Sequence, residues 1–336
     1  MKRIELSKVL VNASTLKFQV FKNTPNILSA GNRIANNNFV KIFKEPKFKI
    51  GKETKIFTLG SCFAREIEER LHSSGLRIMN MNYSLPEKYR ISGRWLNNDE
   101  YRKNGLTTEN ERSILNKYSI RSMIDAIQIA TRLDKIDIEK YLIEQNGKFL
   151  NPYQHLPLPL DKSEAIELFL TSMAQFKKVS DSELFVITLG QTELWFDNNT
   201  RKYINGSPPT LGHNKNDSRF ELHIPNISEV MEDLRELVCI IKDRSAIAQI
   251  ILTVSPVPFS RTFSPEDAIT SNSVSKSMLL IAARDLADKL DYVDYYPSFE
   301  MVTSSNRSWA YEPDMVHVMP RCVEQVVSHF IEDYII

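Results

Sequence analysis

Cysteine is scarce in this 336-residue chain. Cys62, Cys239 and Cys322 are the only three, an odd set with no motif spacing. That excludes a disulfide framework and leaves reduced thiols, the usual state in a cytoplasm. An excess of one charge is lacking too: 43 Lys and Arg meet 42 Asp and Glu, for a formal net charge of +1. No global field therefore draws the chain to nucleic acid or to an anionic membrane. No apolar run approaches the length of a bilayer span. Met1 to Leu10 carry Lys2, Arg3, Glu5 and Lys8 among apolar residues, so no secretory signal is read and a cytoplasmic location is expected. A Walker-type loop, a G-x-G-x-x-G turn, an H-E-x-x-H helix and a paired C-x-x-C are all missing. A metal site is unsupported and no resident cofactor is expected. No internal repeat or low-complexity tract is present.

What remains is the composition of an ordinary globular protein, 42% hydrophobic and 25% charged. The length suits one large α/β domain with insertions or two modest ones. The most informative stretch is Lys55-Ile56-Phe57-Thr58-Leu59-Gly60-Ser61-Cys62-Phe63-Ala64-Arg65-Glu66-Ile67. A short apolar run ends at Gly60. Ala64, Ile67 and Leu71 then recur at helical spacing among charged residues, which reads as strand, tight turn and helix. Ser61 and Cys62 sit where free N–H groups and the helix dipole stabilise negative charge. Two readings of Ser61 follow, a nucleophile beside an oxyanion site or a helix N-cap.

Along the chain, residues 1–50 are polar and irregular, with a short strand expected at Phe18, Val20 and Phe21. They read as an extension packed on a main domain over 51–336. The first strand is Lys55–Leu59, its helix spans about 63–73 with Gly75 as C-cap, and a second strand covers Leu76–Met79. An insertion of about 82–161 interrupts the pattern and contains a helix over Ser119–Leu133. Helices are then expected at 163–179, 227–243, 275–290 and 323–331. Strands are expected at 184–189, 248–254 and 292–295. Arg201–Pro225 reads as a polar loop. Alternating strands and helices argue for a parallel sheet covered on both faces.

Gly60-Ser61-Cys62-Phe63-Ala64 resembles the signature of the GSCFA family, a relative of the GDSL/SGNH esterases. Three further stretches match in the same order: Ile187–Trp195, then Leu252–Pro258 with Asn272 and Ser275-Lys276-Ser277, and finally Asp314–His317. The resemblance spans about Lys55 to Phe330. It implies an SGNH-like three-layer α/β/α fold with a five-stranded parallel sheet in the order 2-1-3-4-5. In that order strands one and three meet at the topological switch point, where a ligand crevice opens.

The resemblance also implies a serine esterase. Ser61 is the nucleophile, His317 the base, and Asp314 its orienting carboxylate, the pair being similar to the D-x-x-H block of the esterase families. Chain order sets His317 above His72, His155, His213, His223 and His329. Cys62 is a rival nucleophile, since a thiol at a helix N-terminus has a lowered pKa, or else a packing residue. Gly60, Gly190, Gln191, Thr192, Glu193 and Lys276 are the candidate oxyanion and substrate-binding residues. Gln191 stands where the esterases carry asparagine, with Thr192 as fallback donor. Glu193 reads substrate hydroxyls or anchors its loop. Lys276 neutralises an anionic group or is simply solvated, and Ser275 caps its helix. A further oxyanion donor from the second block falls near Asn82 or Gly93. The expected reaction is removal of an acyl group, acetyl above all, from a carbohydrate or similar ester. The alternatives are an O-acetyltransferase using acetyl-CoA as co-substrate, and a catalytically silent glycan- or protein-binding module. Expected partners are a small-molecule or glycan ester, with no nucleic acid and no membrane span.

Overall fold

A computed structural model describes residues 3–15, 17–81, 114–155, 157–211 and 218–336. Its centre is a parallel sheet of β1 (Ile56–Gly60), β4 (Leu184–Leu189), β8 (Gln249–Val254) and β9 (Val293–Tyr295), in the order β1-β4-β8-β9. Every residue of β1, β4 and β9 is buried, as near-continuous apolar runs require of a sheet covered on both faces.

The two faces divide by the period of two along each strand. Phe57, Leu59, Phe185, Ile187, Ile250 and Leu252 pack into one core. It is covered by α4 (Ile120–Ala130), α5 (Lys162–Lys177), α6 (Ile227–Arg244) and α7 (Ala268–Lys289). Ile56, Leu184, Val186 and Ile251 pack the other way. There they meet α3 (Cys62–Ser73), α8 (Ser298–Ser304), α9 (Arg307–Ala310) and α10 (Pro320–Tyr334). A fully buried Phe or Leu at these positions contributes roughly 1.5–3 kcal/mol. Asn226, with Glu229 three residues on, closes the start of α6 as a capping box. Gly75, at φ +84°, ends α3 as expected.

The sheet has four ladder strands where five are expected. The second strand shrinks to one parallel bridge, Ile56 to Ile78, on the outer side of β1. The chain then turns through a 3-10 segment, Met79–Met81, and the Asn80 side chain does the work of a strand. Its Oδ1 accepts from Thr58 N–H at 3.2 Å and its Nδ2 donates to Thr58 C=O at 2.9 Å. A carboxamide carries the same donor and acceptor as a peptide unit, so the edge of β1 is satisfied without a ladder.

Other expectations shift. Phe18 lies in a 3-10 turn, Lys17–Gln19, and no strand forms there; α1 (Leu6–Thr15) and α2 (Ala30–Asn36) flank it. Residues 38–50 run along the C-terminal helices, with Val40 N–H on Ser305 Oγ at 2.8 Å and Lys44 Nζ on Asp294 Oδ1 at 2.6 Å. The stretch 201–225 is not all loop. β6 (Lys202–Ile204) and β7 (Phe220–His223) flank β5 (Leu194–Asp197) in a small antiparallel sheet. Within the insertion, β2 (Ile143–Gln145) and β3 (Lys148–Leu150) form a hairpin. Asn146 and Gly147 both take positive φ at its tip, the pairing a type I′ turn demands. Helix α7 begins seven residues before Ser275, capped by Asp267. Its first two turns are too polar to show an apolar stripe. No helix among the described residues is long and apolar enough to cross a membrane.

Candidate active site

β1 and β4 are neighbours, with Gly60 opposite Thr188. The segments that follow them in sequence start at one rim of the sheet. Gly60 takes φ +148°, and a Cβ there would lie 2.7 Å from Thr188 O and 2.9 Å from Ala64 Cβ. Only glycine lets α3 start so close to the strand pair. Ser61 occupies the N-cap position with extended backbone, yet its side chain makes no capping bond. The capping reading of Ser61 is thereby set aside. Its hydroxyl belongs to a crevice of about 180 Å3 that Ser61, Cys62, Tyr118, His155, Gly190, Gln191 and His317 line together with the 255–261 loop.

His317 arrives from the far end of the chain in a small turn. Tyr311 and Val318 bridge its base, and Glu312 N–H donates to His317 C=O at 2.8 Å. Asp314 does two things in that turn. Its Oδ1 accepts the N–H groups of Val316 and His317, each at 3.1 Å, and its Oδ2 lies 2.7 Å from His317 Nδ1. The backbone bonds lock the carboxylate, and the carboxylate fixes the imidazole. Met315, between them, takes φ +60° to close the turn. Turn chemistry and a base–carboxylate pair are here the same structure.

Cys62 corrects an expectation. Burial, then the nearby Glu66 carboxylate, pushes its thiol up to about 11. Desolvation outweighs the helix N-terminus, and Cys62 stays a neutral thiol near pH 7.

The opposite wall is Gly190-Gln191, past the end of β4. Gln191 N–H donates to Tyr118 C=O at 2.9 Å, and a Cβ on Gly190 would stand 2.6 Å from that same oxygen. The Gln191 carboxamide donates to Glu193 C=O at 3.3 Å, which leaves its second N–H for the crevice. Thr192, Glu193 and Lys276 do not line it. Thr192 N–H is held by Ser275 Oγ at 3.1 Å, so Ser275 pins a loop and does not cap its helix. The Glu193 carboxylate accepts from Thr262 Oγ1 and, at 3.0 Å, from Phe263 N–H. It anchors the 255–264 loop. Asn272 Oδ1 adds a third clamp on that loop through Phe259 N–H at 3.2 Å. Lys276 is neither solvated nor facing the crevice. It is 2% exposed, its Nζ donates to Gly190 C=O at 2.6 Å, and burial lowers it to about 7.

Among the lining residues that were not anticipated are three from distant segments. Tyr118 and His155 come from the insertion, with ring centroids 4.7 Å apart. Burial, and next the His317 imidazole, lower His155 to about 4, so it is neutral near pH 7. Arg261 stands exposed at the rim. Nothing local in the sequence marks these three, because only the return of the insertion and of the 255–264 loop to the sheet rim brings them in. The remaining described histidines fall away from the crevice. His72 is exposed on α3, His223 pairs with Tyr203, and His329 stacks on Phe39. His213, Asn82 and Gly93 lie outside the described residues.

The arrangement unites a serine hydroxyl that caps no helix, an imidazole oriented by a carboxylate, and amide groups at a helix start and on Gln191. These are the parts of acyl-transfer chemistry. Solved structures show distant likeness. A Clostridium thermocellum family 3 carbohydrate esterase aligns at 10% identity and TM-score 0.33, over 84% of this chain and 94% of that one. An acetyl esterase mutant with acetate ion aligns at 12% and 0.35, over 83% and 99%. A peptidoglycan O-acetylesterase aligns at 12% and 0.27, over 46% and 38%. Likenesses of this size carry no statement about activity. No curated protein sequence matches. The match that decides the relationship is to a family model, the GSCFA family, over residues 55–330, from the strand that delivers Ser61 to the last helix after His317: this chain belongs to the GSCFA family.

Proposed function

We propose that this protein is a serine ester hydrolase of the SGNH type that removes a small acyl group, acetyl above all, from a carbohydrate or similar alcohol. The observation that carries the reading is the meeting of Ser61 and the Asp314-bound His317 in one crevice. In this reading Ser61 Oγ attacks the ester carbonyl carbon while its proton passes to His317 Nε2. Asp314 stays ionised, holds the Nδ1–H tautomer and stabilises the imidazolium. The oxyanion is received by the Ser61 N–H and the second Gln191 carboxamide N–H, a donor worth ~3 kcal/mol in a preorganised site. The C–O bond breaks, and His317 returns the proton to the departing alcohol. Water, deprotonated by His317, then attacks the acyl-Ser61 ester and releases the carboxylic acid.

The test compares wild type with Ser61→Ala on 4-nitrophenyl acetate, with and without acetyl-CoA and a sugar acceptor. Hydrolysis lost by three orders of magnitude or more in a folded variant is expected. Acetyl transfer seen only with acceptor present would replace hydrolysis by transfer. No turnover, with glycan binding unchanged by Ser61→Ala, would leave a silent binding module.

A further inference from the structure

The charge lining the crevice is one-sided. No carboxylate is among its described lining residues, since Asp314 stands behind His317 and Glu193 faces the 262–263 backbone. Arg261 is the one Arg or Lys among the described lining residues. It has neither an ion pair nor a hydrogen-bond partner among the described residues, although it is a guanidinium with five donors. It is also held in place. Immediately after it, Thr262 and Phe263 are gripped by the Glu193 carboxylate. Before it, Phe259 is pinned by Asn272, and Val257 N–H closes on Ser255 Oγ at 3.2 Å. Pro256 and Pro258 stiffen the same segment. Three buried or half-buried clamps on a ten-residue loop present one unpaired cation to the rim.

Size places the cation relative to the ester. A crevice of about 180 Å3 is below the ~300 Å3 where sites for drug-sized ligands begin. It takes the acyl group and the ester atoms. The rest of the alcohol extends past the exposed rim, where Arg261 stands.

The geometry points to Arg261 as the specificity-determining residue for an anionic group, carboxylate or phosphate, on the alcohol part of the ester. The inference deepens the reading of the crevice as an ester-cleaving site and rests on it. A planar fork of donors suits either anion, bidentate in both cases.

The experiment uses three acetyl esters of matched shape, 4-acetoxybenzoate, 4-acetoxyphenyl phosphate and neutral 4-acetoxybenzamide, on wild type, Arg261→Gln and Arg261→Lys. Wild type is expected to favour at least one anionic ester over the amide by about five- to tenfold in kcat/KM, carried by KM. The better of the two identifies the anion. Arg261→Gln brings the ratio to about one, and Arg261→Lys restores part of it. Added salt erodes the preference. An anion-to-amide ratio near one in wild type, or one that Arg261→Gln leaves unchanged, overturns the inference while hydrolysis by Ser61 stands. If none of the esters is cleaved, the hydrolase reading fails, and binding decides the remainder. Ligand-observed NMR with 4-hydroxybenzoate and 4-hydroxyphenyl phosphate against 4-hydroxybenzamide then either shows anion binding lost in Arg261→Gln or overturns the site.

Discussion

His317 Nδ1 lies 2.7 Å from Asp314 Oδ2, and the same carboxylate's other oxygen takes the N–H of His317 itself. One side chain thus sets both the backbone and the ring of its neighbour three residues on. Asp314→Asn keeps an oxygen for the backbone bonds and loses the charge and the Nδ1 acceptor. We expect kcat on 4-nitrophenyl acetate to fall on the order of a thousandfold or more. Thermal unfolding should barely move. A large drop in Tm with proportionate activity loss would mean the carboxylate serves only the turn.

Cys62 is next to the nucleophile and should be chemically quiet. With its thiol raised to about 11, the thiolate is a small fraction near pH 7. Its labelling by iodoacetamide should be slow there and climb about tenfold per pH unit toward pH 11. Cys62→Ala should keep activity within about tenfold of wild type. Fast labelling at pH 7 that abolishes activity would restore the thiol as nucleophile. Cys239 is exposed and must be replaced first so that one site is read.

Gly190 and Gly60 are confined for different reasons. Gly190→Ala places a methyl 2.6 Å from the Tyr118 carbonyl, and the 118 segment must move. About 1–3 kcal/mol of stability should be lost, with activity falling more than stability predicts because Tyr118 and Gln191 line the crevice. Gly60→Ala combines a left-handed φ with contacts to Thr188 and Ala64 and should be the worse folder. Chemical denaturation of both variants measures the order.

Lys276 gives a pH signature of stability. Its folded value is about 7 against an ordinary 10.5, so between those limits the unfolded chain binds more protons than the folded one. Stability from this group therefore rises with pH from about 7 to 10 and is lowest below 7, where the buried ammonium is charged. Lys276→Met removes the dependence. The stability of wild type minus that of the variant should shift in favour of wild type as pH rises through this window, read by urea unfolding at pH 6.5, 8 and 9.5. A difference independent of pH would mean that Lys276 is charged throughout.

Asn80 replaces a missing strand. Asn80→Leu leaves the Thr58 N–H at the edge of β1 without its partner, leaves the Thr58 C=O with the Arg65 guanidinium alone, and takes a donor from Glu68. A loss of about 1–3 kcal/mol is expected from the unmet buried N–H. A smaller loss would show that water or a neighbouring segment reaches that edge.

Local pattern determined much of this protein. The apolar runs at 55–59, 184–189 and 248–254 read as strands, the second as one buried on both faces, and their alternation with amphipathic helices argued for a parallel sheet. The Gly60-Ser61 handover from strand to helix was visible because glycine, a cap-type residue and a 3.6-residue period follow in order. The N-G tip of the hairpin at 143–150 is an equally local signal. What the chain order could not say is which groups lose water. Burial turned Cys62 into a neutral thiol, took Lys276 behind the wall, and made Glu193 a clamp. It also collapsed the second strand onto one carboxamide. Only the folded chain brings Tyr118, His155 and Arg261 to Ser61 from segments far apart in sequence. Desolvation and contact are properties of three-dimensional neighbours, whereas periodicity and turn chemistry are properties of adjacent residues, and that difference divides what was legible from what was not.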